Sequence, residues 1–113
     1  MTKLKLTRDD RVWLREYRKA LTKQYPGSVQ RFLIYGSKAR GEAGPDSDLD
    51  VLLIVRDQDT KRKRELRWIG HMLAATSEAL PSIFVYTEAE WEQRRRSRSP
   101  FRVAVERDAV DVR

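Results

Sequence analysis

The chain has 113 residues, 40% hydrophobic and 36% charged, with 24 Lys and Arg against 17 Asp and Glu for a net charge of +7. Such a length predicts one domain over residues 1–113, with a real core and a heavily solvated surface. The absence of cysteine excludes a disulfide framework, a thiolate metal site and a cysteine nucleophile. No apolar run approaches the roughly 20 residues of a membrane span, and the N-terminus lacks the apolar stretch of a secretory signal. The expectation is a soluble cytoplasmic protein with no membrane partner. Its positive charge favours polyanionic partners such as nucleotides, nucleic acid or an acidic protein. The basic residues gather at Lys61 to Arg64 and again at Arg94 to Arg96 with Arg98. A solvated surface explains them as well as a functional basic face does.

Thr7 followed three residues later by Asp10, with Asp9 beside it, reads as a capping box with Asp in place of the usual Glu. Apolar residues then recur at helical spacing through Trp13 or Leu14, then Tyr17, Leu21 and Tyr25, predicting a helix from about 8 to 24 that ends at Pro26-Gly27. Residues 28–35 form a short strand, apolar on both faces over 32–35 as in a buried position. Residues 36–47 are a small, polar, Gly- and Pro-rich loop in which 37–41 has the makings of one helical turn. Residues 48–55, Asp-Leu-Asp-Val-Leu-Leu-Ile-Val, read as a second buried strand.

Asp59 or Thr60 is the expected cap of a helix reaching Pro81. Its apolar stripe runs through Leu66, Ile69, Leu73 and Leu80 and is widened by Trp68 and Met72. Gly70 inside it costs roughly 1 kcal/mol relative to Ala and marks close packing. Residues 82–86 form a third strand. Thr87-Glu-Ala-Glu90 is a full capping box opening a short helix that Ser99-Pro100 breaks. For residues 97–113 a short helix plus a strand and a hairpin both remain open. The sum is an α+β fold, a small mixed sheet with helices packed on one face.

The chemistry-bearing stretch runs from Tyr35 to Val51. On a strand, residues i and i+2 share a face, so Asp48 and Asp50 project side by side at the mouth of the sheet. Two carboxylates that close repel unless a proton or cation separates them, and Mg2+ takes one or two carboxylates together with substrate phosphates. Gly36 permits close backbone approach and Ser37 offers a hydroxyl, both suited to phosphate oxygens. Ser37 also suits a helix N-cap. For Arg40, phosphate binding and an ion pair with Asp48, Asp50 or Glu42 are equally open. His71 lacks any His or Cys companion and reads as structural or surface. The three Trp residues read as core or interface.

Gly36-Ser37-Lys38-Ala39-Arg40-Gly41 followed by Ser47-Asp48-Leu49-Asp50-Val51 resembles the nucleotidyltransferase superfamily related to DNA polymerase beta, and within it the minimal nucleotidyltransferases. The resemblance covers residues 8–93. It implies the polymerase beta-like fold and the transfer of a nucleotidyl group, AMP foremost, from a nucleoside triphosphate such as ATP to a macromolecular acceptor with Mg2+, at a two-metal site. It implies metal and catalytic roles for Asp48 and Asp50. It implies nucleotide contacts for Gly36, Ser37, Arg40 and Ser47, with Lys38 near the phosphates. It further implies a helical partner of the HEPN type, this chain being the antitoxin of the pair. Nucleic-acid contact through the basic clusters and self-association into a homo-oligomer stay open. One departure stands out: family members usually carry a third carboxylate at the start of the later strand, and that position here is Ser82, with Asp46, Glu88 and Glu90 as candidate substitutes. The resemblance therefore also admits a weakened or inactive member acting by protein contact.

Overall fold

A computed structural model describes residues 3–44 and 46–113. Helix α1 (Arg8–Gln24) starts on the expected box: the Thr7 hydroxyl accepts from the Asp10 N–H, and the Asp10 carboxylate accepts from the Thr7 N–H, each at 3.0 Å. Strand β1 (Val29–Tyr35) leads into the one-turn helix α2 (Gly36–Arg40), then strand β2 (Leu49–Val55). A 3-10 segment (Asp57–Arg62) precedes helix α3 (Lys63–Ala74). Strand β3 (Pro81–Thr87), helices α4 (Glu88–Arg96) and α5 (Pro100–Asp108), and the two-residue strand β4 (Val110–Asp111) complete the chain.

The sheet order is β3-β2-β1-β4, with β2 parallel to β3 and both other pairings antiparallel. The fold is the expected α+β architecture around a mixed sheet. Residues alternate between the two faces of a strand. One face presents Phe32, Ile34, Val51, Leu53 and Val85 to α1 and α3. There Trp13 Nε1 donates to the Gly70 carbonyl at 2.8 Å and the Tyr17 hydroxyl donates to the Leu66 carbonyl at 2.6 Å. A Cβ on Gly70 would lie 2.5 Å from Ile83 Cδ1 and 2.9 Å from Tyr17 Cζ, so this glycine does mark close helix packing.

The two longest helices take one face, as expected, but the other is not left open. Leu33, Leu52 and Ile54 pack there against Trp91 of α4 and Val105 of α5. The tail settles as helix plus strand. The Ser99 hydroxyl caps α5, Pro100 occupies its first turn, and β4 pairs with β1 through Ile34 and Val110.

The helix expected up to Pro81 stops earlier, at Ala74. The Ser77 hydroxyl there accepts from the Ala79 N–H at 3.0 Å, a local side-chain bond that competes with helix continuation. Leu80 consequently leaves the stripe, and Trp68 and Met72 face solvent on α3 rather than widening it. Asp59 is no exposed cap either. It is buried, with Arg56 at 3.0 Å and Arg62 at 3.6 Å. No helix among the described residues is long and apolar enough to cross a membrane.

Candidate active site

Strand β1 ends and α2 begins at Gly36, whose φ of +76° lies in the left-handed region that Cβ-bearing residues avoid. A Cβ built there would fall 2.2 Å from Asp50 Oδ2. The glycine thus serves twice, in the turn and in letting the carboxylate lie against the backbone. Asp50 reaches that point because β1 and β2 pair Tyr35 with Asp50, on the sheet face opposite the α1–α3 core.

Asp50 is half-buried, and neither it nor Asp48 has a hydrogen-bond or ion-pair partner among the described residues. Burial, and secondarily the charge of Asp48, pushes the Asp50 carboxyl above its ordinary value against the opposing pull of Arg40 and Lys38. Tyr35 beside it is raised by burial, then by Asp50 and Tyr86. Two unpaired carboxylates, one of them half-buried beside the charge of the other, fit a hard divalent cation taking oxygen ligands. The β2–β3 register pairs Asp50 with Ser82, so Ser82 stands beside Asp50 where a third carboxylate would share the face. Among the described residues no group of three or more His, Cys, Asp or Glu gathers to hold a metal. Glu88 and Glu90 are no substitutes. They follow the far end of β3, five residues or about 16 Å from Ser82, and Glu90 is engaged by Lys63 and the Thr87 N–H. Asp46 lies exposed in the loop.

The remaining sequence candidates fall as follows. The Ser37 hydroxyl has no partner among the described residues, while the Ser37 carbonyl accepts from the Glu42 N–H at 3.0 Å. Ser47 holds the loop, its hydroxyl accepting from the Gly44 N–H at 3.1 Å. Arg40 bonds Glu42 at 3.0 Å and Asp108 at 3.4 Å. Of the ion pairs anticipated for it, the Glu42 pair forms. Lys38, whose charge is felt at Asp50, is committed to a buried partner. It is 3% exposed and pairs with the 1% exposed Asp10 at 2.5 Å, fastening the turn to the start of α1. His71 is exposed, and Trp13 and Trp91 are core while Trp68 is surface.

Sequence reading missed the aromatic wall beside the carboxylates. Phe101 meets Tyr35 edge-on at 5.6 Å and Phe84 at 5.9 Å, and the Arg94 guanidinium lies 4.8 Å over the Tyr86 ring. The signal available was the alternation Ser82, Phe84, Tyr86, which puts all three on the Asp50 face. The Asp108 partner of Arg40 had no sequence signal, since it belongs to the ambiguous tail.

A carboxylate laid against a glycine turn between two strands, with a second carboxylate two residues before it, defines the class. Residues 14–105 match the nucleotidyltransferase domain family, and the chain belongs to that family. Its chemistry is nucleotidyl transfer. The chain is similar to two proteins of Methanocaldococcus jannaschii. One carries the name "Putative protein adenylyltransferase MJ0141" and is 28% identical over 74 residues, 65% of this chain and 75% of that protein. The other, "Putative protein adenylyltransferase MJ0604", is 34% identical over 41 residues, 36% of this chain and 41% of that protein. No solved structure matches the chain.

Proposed function

We propose that the chain transfers AMP from ATP to a hydroxyl of a protein acceptor, as one cytoplasmic domain over residues 1–113, and that it serves as the antitoxin of a HEPN-type partner. The observation that carries the transfer reading is the half-buried, unpaired Asp50 carboxylate held against Gly36 beside Asp48. The relatives' names support adenylyl transfer to protein, and the sequence resemblance supports the partner class.

In this reading Asp48 and Asp50 hold Mg2+. The metal supplies charge neutralisation for the attacking and leaving oxygens when bound. The Gly36–Ser37 turn receives the triphosphate through its backbone and the free Ser37 hydroxyl, and Ser47 keeps the loop closed behind it. Arg40, tethered by Glu42 and Asp108, adds positive charge near Asp50. Positioning and electrostatics carry most of the work in such a transfer.

The test is incubation with α-phosphate-labelled ATP, Mg2+ and the candidate acceptor. Label transfer that disappears in Asp48→Asn and Asp50→Asn supports the reading. Transfer that survives in both variants sinks it.

Ser82 in register with Asp50 favours one second reading, an antitoxin that neutralises by contact alone. It requires the double Asp→Asn variant to neutralise the partner as well as wild type does. A double variant that binds the partner without neutralising it rejects contact alone.

A further inference from the structure

Strand β3 is an edge of the sheet. The Leu49 N–H donates to the Leu80 carbonyl at 2.9 Å, and the register pairs Asp50 with Ser82. Backbone groups alternate between the two sides of a strand. Ser82, Phe84 and Tyr86 therefore turn their N–H and C=O groups to β2, while Pro81, Ile83, Val85 and Thr87 turn theirs outward. The outward row is closed at both ends: Pro81 has no N–H, and the Thr87 N–H is held by Glu90 at 2.8 Å. Between these ends, the N–H groups of Ile83 and Val85 and the carbonyls of Pro81, Ile83 and Val85 have no partner outside the sheet among the described residues.

This window adjoins the carboxylates. Phe84, 46% exposed, sits in its middle on the face that carries Asp50 and Ser82. The Gly36–Ser37 turn lies on the β1 side of Asp50, so a triphosphate held there leaves the β3 side for the acceptor. Ser82 is small and leaves room where a third carboxylate would stand.

We propose that the outer edge of β3 docks the acceptor as an extended peptide segment, which adds a fifth strand beside residues 81–85 and presents a hydroxyl side chain over Ser82 toward Asp48 and Asp50. The inference rests on the adenylyl-transfer reading above. An added strand lies about 4.8 Å beyond β3, and its residue opposite Ser82 projects on the same face. Main-chain bonds give such docking its affinity, and side-chain pockets give it specificity. Phe84 supplies the apolar contact here. A window of two N–H donors is short for a lasting dimer edge, since stable interfaces bury upward of about 1,000 Å². It suits a substrate that must leave after turnover. In the reaction the acceptor oxygen bonds to the α-phosphorus, and the bond from that phosphorus to the bridging oxygen breaks. Pyrophosphate departs with the electron pair, and the hydroxyl proton passes to water.

The test uses synthetic peptides of about twelve residues, long enough to span one strand. Each has one central Ser, Thr or Tyr flanked by alternating Val, Gln and Glu, and is offered with labelled ATP and Mg2+. Labelling should fall about tenfold when the peptide amides facing β3 are N-methylated, and should persist when the alternate amides are. Exchange of the Ile83 and Val85 amides should slow about tenfold at saturating peptide. Phe84→Ala should raise the acceptor KM about fivefold with ATP affinity unchanged. Labelling indifferent to N-methylation, unchanged exchange at both amides, or ATP binding without labelling of any peptide overturns edge docking and leaves nucleotide binding at the Asp48–Asp50 site standing. Wild-type protein that fails to bind ATP overturns the underlying reading instead.

Discussion

Gly36 is where backbone and chemistry meet. Its positive φ and the 2.2 Å approach of a built Cβ to Asp50 Oδ2 mean that Gly36→Ala strains the turn and displaces the carboxylate together. The expected result is a loss of about 1–3 kcal/mol in stability, as for an occupied disfavoured backbone region, and about 10²-fold or more in transfer rate, as for a misplaced reacting group. Urea denaturation and initial rates check the two separately. Asp50 gives a pH signature. Its carboxyl sits above the ordinary 3.8, so the folded state holds its proton to higher pH than the unfolded chain does. Its stability contribution is full below about pH 3.8 and is lost as pH rises through the folded value. Asp50→Asn should therefore raise the urea midpoint at pH 7 in metal-free buffer, with the gain vanishing near pH 4. Lys38 and Asp10, at 3% and 1% exposure, form a buried pair. Lys38→Met leaves Asp10 uncompensated and should cost about 3 kcal/mol by urea denaturation, more than Asp10→Asn with Lys38→Met combined.

At the scale of elements, α1 and α3 touch backbone to side chain through Gly70. Gly70→Ala improves helix propensity by about 1 kcal/mol, yet its Cβ meets Ile83 and Tyr17 below 3 Å. Overpacking should win and leave a net loss of about 1–2 kcal/mol, measured by thermal or urea unfolding. The capping boxes at Thr7 and Thr87 and the strands around the acidic loop were legible in the sequence, because each is written in local hydrogen bonding or apolar runs. The end of α3 was not legible. Its apolar spacing continues past Ala74, and only the turn bonding at Ser77 and the start of β3 at Pro81 cut it short. The tail was ambiguous for the reverse reason. Phe101, Val103 and Val105 alternate like a strand, but Ser99 and Pro100 start a helix, which leaves Val103 exposed and Val105 buried.

For the whole molecule, the three tryptophans separate surface from core. Trp13 and Trp91 are 2% and 4% exposed and Trp68 is 63% exposed. Truncation to Ala should cost about 3–5 kcal/mol at either buried site and within about 0.5 kcal/mol at Trp68, read from urea midpoints at constant m. The net charge of +7 already counts every acid against the bases, but it is not concentrated in the two basic clusters. Arg62 pairs with Asp59, Lys63 with Glu90, and Arg95 and Arg96 with Glu92, so much of both basic clusters is met within the chain.

The sequence by itself determined the Gly36 to Asp50 loop, its flanking strands, the family resemblance and the Ser82 departure. All of these depend on spacing along a few residues, and side-chain period and turn chemistry are local. Tertiary structure decided what crosses the chain. Pairing across strands set Ser82 beside Asp50 and laid Asp50 against Gly36. Packing over 28 residues took Lys38 to Asp10. The order of strands left the outward amides of β3 without a strand partner next to the carboxylates. Contacts between distant segments form only where burial and hydrogen bonding across the fold outweigh the entropy of bringing them together, and no local pattern records that balance.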